Sequence, residues 1–309
     1  MRYALLLPLL LITACDSKPG AGPSASGKPK VVATTTMIGD LVAQIAGDKV
    51  DLTVIMPAGT DPHTYKPKTK DLGDIAGASR VFYNGLHLEG KMVELFEQKM
   101  KDKAIAVTSS LDHSKELIPW KEGDGGAHDP HVWFDVTLWA RAGQLVKDTL
   151  VKDDPANAAH YEQRYKDFAT RMEALDKYVK DAVTSIPADR RVLITSHDAF
   201  SYFGRRYGVD VRGLQGISTE TEAGLSNVRE AVQFIVAKKI PAIFVESSVN
   251  PQTINRVQAD CKAAGWDVKI GGEMYSDAMG APGEHAGYAV ETYDGMVRYN
   301  TDLLVKGLK

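Results

Sequence analysis

The chain reads as an α/β protein of two lobes, each a parallel β-sheet flanked by helices, joined by one long helix with a ligand cleft between the lobes. Three observations predict this. Between Asp154 and Ile186 the residues Tyr161, Tyr165, Phe168, Met172, Leu175, Val179, Ala182 and Ile186 recur in steps of four and three, which lays one apolar stripe along a helical face. Before that stretch short apolar runs alternate with helical patterns, and after it they do so again. Such alternation predicts parallel strands with helical crossovers.

The long element has clear ends. Pro155 suits a first helical position behind Asp154 as a cap, and Pro187 stops the run. Glu162/Lys166, Glu173/Lys177 and Asp176/Lys180 supply charge pairs one turn apart on the wet face. A helix over 154–187 is roughly 45–50 Å long at about 1.5 Å per residue, more than one small domain needs. The periodicity alone also suits a coiled coil. Patterns of similar length on both sides favour a strut between lobes.

In the first lobe, residues 31–153, strands are predicted at 31–35, 50–56, 80–84 and 104–107, and helices at 38–46, 91–101 and 136–152. In the second, residues 188–309, strands are predicted at 191–195, 209–213, 242–245 and 267–270, with helices at 200–207, 228–239, 253–264 and 288–306. In open α/β sheets ligands bind beyond the carboxyl ends of strands, so the loops after strands are where chemistry is sought.

Residues 1–14 carry an address. Arg2 is followed by an apolar run from Ala4 to Ile12 and then by Thr13, Ala14 and Cys15. The run is too short to span a bilayer, which takes about 20 residues. Its end resembles the lipobox of bacterial lipoproteins, with Ile12 where Leu is commoner, and the resemblance implies cleavage before Cys15 and acylation of its sulfur. The rest of 15–30 is rich in Ser, Pro, Gly and Lys and reads as a flexible tether. Cys261 then has no disulfide partner and reads as a buried, inert thiol on a helix face with Ile254, Val257 and Ala264.

Composition bounds the partners. With 309 residues, 44% hydrophobic and 25% charged, the chain is long enough for a core in each lobe. A net charge of -3 offers no footprint for nucleic acid.

Four loops stand out: Asp61-Pro62-His63, Asp129-Pro130-His131, Ser196-His197-Asp198 and Ser276-Asp277. In the first two, proline stiffens its own backbone and restricts the residue before it, so each imidazole sits on a rigid segment. Two groups from each lobe would meet in the cleft. Three imidazole nitrogens and one carboxylate suit a borderline divalent ion such as zinc, with bonds of about 2.0–2.2 Å, and do not suit calcium or magnesium, which take oxygen. Asp198 and Glu246 are placed to accept from ligating imidazoles and orient them. His87, His160 and His285 read as structural or surface groups, and His113 and His128 flank a Gly-rich acidic stretch.

Six ordered motifs, Asp61-Pro62-His63-Thr64-Tyr65, Tyr83-Asn84-Gly85-Leu86, Asp129-Pro130-His131-Val132-Trp133, Thr195-Ser196-His197-Asp198-Ala199-Phe200, Val245-Glu246-Ser247-Ser248 and Tyr275-Ser276-Asp277-Ala278, resemble the signatures of the zinc/manganese class of solute-binding lipoproteins that serve ABC importers. The resemblance runs from Val31 to the C-terminus. It implies two α/β lobes on a rigid helix, one Zn2+ or Mn2+ held by His63, His131, His197 and Asp277, a lipid anchor on the membrane facing the periplasm or cell exterior, and a cognate permease with its ATPase. Members with Glu in place of His197 are associated with manganese, and members with a His-rich loop before the second ligand with zinc. This chain matches neither subgroup fully.

Four protein ligands close a coordination sphere, whereas a catalytic zinc keeps a position for water. Neither a His-Glu-x-x-His run nor a phosphate-cradling glycine loop occurs, and Gly213-x-x-Gly216 is too short for a nucleotide site. Binding is therefore expected and not catalysis. The alternatives are a surface adhesin with a structural metal, a label some relatives carry, and a zinc-dependent hydrolase.

Overall fold

A four-stranded parallel sheet precedes a long helix in the chain, and two parallel strand pairs follow it. The computed structural model describes residues 27–120, 127–284 and 287–309; Cys15, the expected signal and most of the tether lie outside the described residues, as does His285. The first sheet has the order β2-β1-β3-β4, from β1 (Lys30–Ala33), β2 (Asp51–Val54), β3 (Arg80–Tyr83) and β4 (Ala104–Ala106). Beyond the long helix, β5 (Val192–Thr195) pairs with β6 (Asp210–Gly213), and β7 (Ala242–Glu246) pairs with β8 (Lys269–Met274), all parallel. β5 lies beside β7, so the spatial order β6-β5-β7-β8 repeats that of the first sheet. In both sets of strands the order reverses between the first and third strand of the set, which places loops at the carboxyl ends around a switch point.

Helices α1 (Thr36–Ala46), α2 (Thr69–Gly77) and α3 (Val136–Asp153) serve the first sheet, and α5 (Ser201–Tyr207), α6 (Leu225–Lys238), α7 (Gln252–Ala263) and α8 (Tyr293–Leu308) the second. The strut is α4 (Ala158–Thr184), 27 residues and so about 40 Å long. It is shorter than predicted because its first turn, Pro155–Asn157, is a 3-10 turn. Its buried stripe is Tyr161, Phe168, Met172, Leu175, Val179 and Val183, with Val183 in the place predicted for Ala182. That stripe faces α1, α3, α5 and α8 of its own chain and not a coiled-coil mate. Gly143 lets α3 approach: a Cβ there would lie 2.7 Å from the Phe168 ring. In place of the predicted bond to Lys180, Asp176 accepts from Arg206 of α5 at 2.6 Å, and Lys177 donates to Asp181. One core cluster runs from Val31 and Phe82 through Trp139 and Leu175 to Phe244 and Leu304, joining both halves through α4.

Three elements differ from the sequence reading. α2 is not predicted, and the helix predicted over 91–101 is present as a continuous helical segment over 90–99 that passes from the 3-10 turn Gly90–Met92 through residues 93–94 into a π-helix, Leu95–Lys99, with Phe96 buried. α8 starts five residues later than predicted, where the Thr292 side chain caps it by accepting from Gly295 N. Among the described residues no helix is long and apolar enough to cross a membrane.

Candidate metal centre

The four predicted groups come from four separate loops. His63 lies on the loop after β2, where Asp61 Oδ1 accepts from the His63 N–H at 2.9 Å. The second Asp-Pro-His repeats the turn: Asp129 Oδ1 accepts from the His131 N–H at 2.9 Å. There the likeness ends. Asp129 Oδ1 also lies 2.7 Å from His131 Nδ1, whereas Asp61 turns its Oδ2 to Thr219 Oγ1, 2.6 Å away on the other half of the molecule.

His197 follows β5. Its backbone N–H donates to Glu246 Oε1 at 2.9 Å, and its Nδ1 lies 2.6 Å from Glu246 Oε2. Glu246 ends β7, the neighbour of β5, so the strand order brings the two together. Gly213, at the end of β6, backs this loop so closely that a Cβ would lie 2.4 Å from Asp198 N and 2.5 Å from the His197 carbonyl carbon. The glycine pair dismissed as a nucleotide signal thus packs against a candidate ligand, and Gly216 O accepts from Asp198 N at 3.3 Å.

Asp277 follows β8. Asn300 of α8 brackets the loop by accepting from Tyr275 N at 3.0 Å and donating to Tyr275 O at 2.7 Å. Trp133 Nε1 donates to Ser276 O at 3.0 Å, which ties the His131 loop to the Asp277 loop across the two halves.

All four side chains converge, and each is buried: His63 is 4% exposed, Asp277 1%, and His131 and His197 0%. His131 Nε2 lies 3.3 Å from His63 Nε2 and 3.4 Å from His197 Nε2. Asp277 oxygens lie 3.6, 3.5 and 3.3 Å from the Nε2 atoms of His63, His131 and His197. A tetrahedral ion with bonds of about 2.0–2.2 Å has ligand-to-ligand edges of about 3.3–3.6 Å. Five of the six edges are that long, and all four ligand atoms lie within 4.8 Å of one another; among the described residues neither Asp277 oxygen has a hydrogen-bond donor. A buried carboxylate without donors is costly unless a cation answers it.

The electrostatics agree. Burial opposes charge on Asp277, but the imidazoles, His197 foremost, outweigh it and hold the carboxyl well below the usual carboxylate range. Burial pushes the His63 imidazole down to about 3, keeping it neutral and able to ligate. Burial also opposes charge on His197, yet Glu246 and then Asp277 overcome it and raise this ring well above the usual histidine value. With Nδ1 of His131 and His197 against carboxylates, the Nε2 atom of each ring faces the centre.

Of the residues predicted to orient imidazoles, Glu246 lies against His197 and Asp198 does not lie against a ring. Asp198 Oδ1 instead accepts from Ser201 Oγ at 2.8 Å in the turn that leads into α5, and the carboxylate against His131 is Asp129. Asp129 stands in the motif, where the sequence reading gives the stiffening to Pro130 and no role to the carboxylate. His160 Nε2 meets Ala46 O at 3.1 Å, and His87 is exposed. Cys261 is buried with Ile254 and Val257.

Fold and centre together define a metal-uptake component, and the chain belongs to the ZnuA family, described as zinc-uptake complex component A, periplasmic, whose pattern matches residues 31–307. It is 40% identical over 309 residues, covering 100% of this chain and 99% of the relative, to the manganese-binding lipoprotein MntA of Bacillus subtilis. To the zinc-binding protein TroA of Treponema pallidum it is 40% identical over 306 residues, 99% of this chain and 97% of the relative. The solved periplasmic zinc-binding protein TroA from Treponema pallidum matches with a TM-score of 0.86 at 41% identity, covering 91% of this chain and 99% of that one. The expected α/β architecture with parallel sheets and a long helix is the one found.

Proposed function

We propose that the chain captures one divalent transition-metal ion outside the cytoplasmic membrane and delivers it to the permease of an ABC importer, with His63, His131, His197 and Asp277 as the ligands. As a member of this family it is a solute-binding receptor and not an enzyme. The single observation that supports the ligand assignment is the convergence of four buried side chains whose ligand atoms all lie within 4.8 Å of one another, five of the six separations being 3.3–3.6 Å. Asp129 and Glu246 orient two of the imidazoles. Residues 31–153 and 188–309 form the two lobes and 154–187 the strut between them. Acylated Cys15 anchors the receptor to the membrane, and the permease with its ATPase are its partners.

The ion is Zn2+ or Mn2+, as the names of the two relatives suggest. Three nitrogens and one oxygen at tetrahedral edges favour zinc, which also outbinds manganese at equilibrium. The adhesin and hydrolase alternatives draw no support from the family or the site. The test is metal analysis of protein purified without added metal, followed by zinc and manganese competition. One ion per chain, displaced by zinc in preference to manganese and lost in H131A and H197A variants, is the expected result. A protein that takes up neither ion, or keeps it in both variants, overturns the assignment.

A further inference from the structure

A buried carboxylate that touches no candidate ligand side chain lies behind the two Asp-Pro-His loops. Glu89 is 1% exposed and sits at the ends of two neighbouring strands. Its Oε1 accepts from Thr34 Oγ1 beyond β1 at 2.7 Å and from the Asn84 backbone N–H beyond β3 at 2.6 Å; its Oε2 accepts from the Gly85 N–H at 3.3 Å. Between these donors and the carboxylate the chain makes a left-handed turn. Gly85, Leu86 and His87 have φ of 85°, 53° and 65°, and two of the three carry side chains that disfavour this region. Such a turn persists only where its surroundings over-determine it. Glu89, binding the N–H groups that lead into it, does so.

The turn reaches both ligand loops. At its start Asn84, fully buried, donates from Nδ2 to Pro130 O at 3.0 Å, one residue before His131. At its far side the Gly90 backbone abuts the His63 carbonyl, so that a Cβ at 90 would lie 3.1 Å from that oxygen. Segment 84–90 is therefore wedged between the backbones that carry His63 and His131, whose Nε2 atoms stand 3.3 Å apart.

The geometry points to Glu89 as a positioning residue that, through Asn84 and the left-handed turn, sets the separation of His63 and His131 and so makes the centre prefer small four-coordinate ions. The inference rests on the ligand assignment proposed above. A fixed short edge matches zinc's four short bonds, and a centre free to widen loses more for zinc than for manganese, which accepts more ligands in looser geometry.

Two variants test it. E89Q keeps the shape of the side chain but sets an NH2 group among three donors, which releases the turn. N84A leaves Glu89 in place and cuts the link to Pro130. In both, zinc affinity measured against a chromophoric chelator should fall about ten-fold or more, the usual effect of losing an outer partner of a metal ligand. Manganese affinity should fall less, narrowing the zinc-to-manganese ratio, and the visible bands of the cobalt-loaded protein should shift and lose their tetrahedral intensity. Unchanged zinc affinity and an unchanged cobalt spectrum overturn the inference. So does an equal loss for zinc and manganese with the cobalt spectrum intact, which marks a structural role only. If E89Q does not fold, N84A decides on the same outcomes. Zinc retained in full by H131A refutes instead the ligand assignment beneath it.

Discussion

Zinc binding at pH 7.5 should expel close to one proton per chain, a number that separates this centre from three ordinary histidines. Three imidazoles of ordinary pKa, about 6.5, would together carry only about 0.3 proton at that pH. In the structure His63 is pushed down to about 3 and brings none. His197 carries the proton, because Glu246 and Asp277 overcome its burial and raise it well above the ordinary value. The metal must displace that proton. Each proton released makes affinity rise ten-fold per pH unit, about 1.4 kcal/mol. Affinity should therefore climb with pH up to the raised value of His197 and then level. Metal-free stability runs the other way. A folded pKa above the unfolded one stabilises at pH below the unfolded value, and that contribution is lost as pH rises through the folded value. The melting-temperature gap between zinc-loaded and metal-free protein should thus widen with pH. The assay is calorimetry of zinc binding at pH 7.5 in buffers of different ionisation enthalpy. Release near one proton, reduced in E246Q, is expected; release of about 0.3 in both proteins would refute the reasoning.

Three further outcomes follow from the same geometry. Chelation should lower the melting temperature of the parent but not of H131A, since an ion at 1,000 times its Kd stabilises the folded state by about 4 kcal/mol; an equal shift in both contradicts ligation by His131. G213A should weaken zinc binding about ten-fold or more while the far-ultraviolet circular dichroism stays native, because the new Cβ must displace the backbone that carries His197; unchanged affinity contradicts the close approach. Cys261 is buried, and burial pushes its thiol up to about 11, so it should resist a thiol reagent at pH 8 until the protein unfolds; rapid labelling of the native protein contradicts its place in the core.

How far each part was legible follows from how local its cause is. The strut announced itself because Tyr161 to Val179 keep one face over many turns, and all eight strands lie in or beside their predicted runs. α2 was illegible: its apolar signal is Leu72, which is exposed, and Ile75, with two glycines in nine residues. Residues 91–101 carry a helical pattern that does form over 90–99, but wound as 3-10 and π turns at its two ends, which periodicity does not reveal. The four converging loops were legible as motifs, whereas the carboxylate beside each imidazole was only half so. Glu246 and His197 meet because β7 lies beside β5, a fact of topology. Asp129 and Asp198 both neighbour a histidine in sequence, and backbone direction alone decides that one faces His131 and the other Ser201. Glu89 and Gly213 act through backbone approach across strands, for which one sequence carries no signal.

The central claim is that three imidazoles and one carboxylate enclose a single ion, and X-ray absorption at the zinc edge of the loaded protein tests it most directly. The prediction is four light-atom neighbours at about 2.0–2.2 Å with the outer scattering of three imidazole rings, reduced by one ring in H63A. A shell with two rings or fewer, or with sulfur at about 2.3 Å, would contradict it.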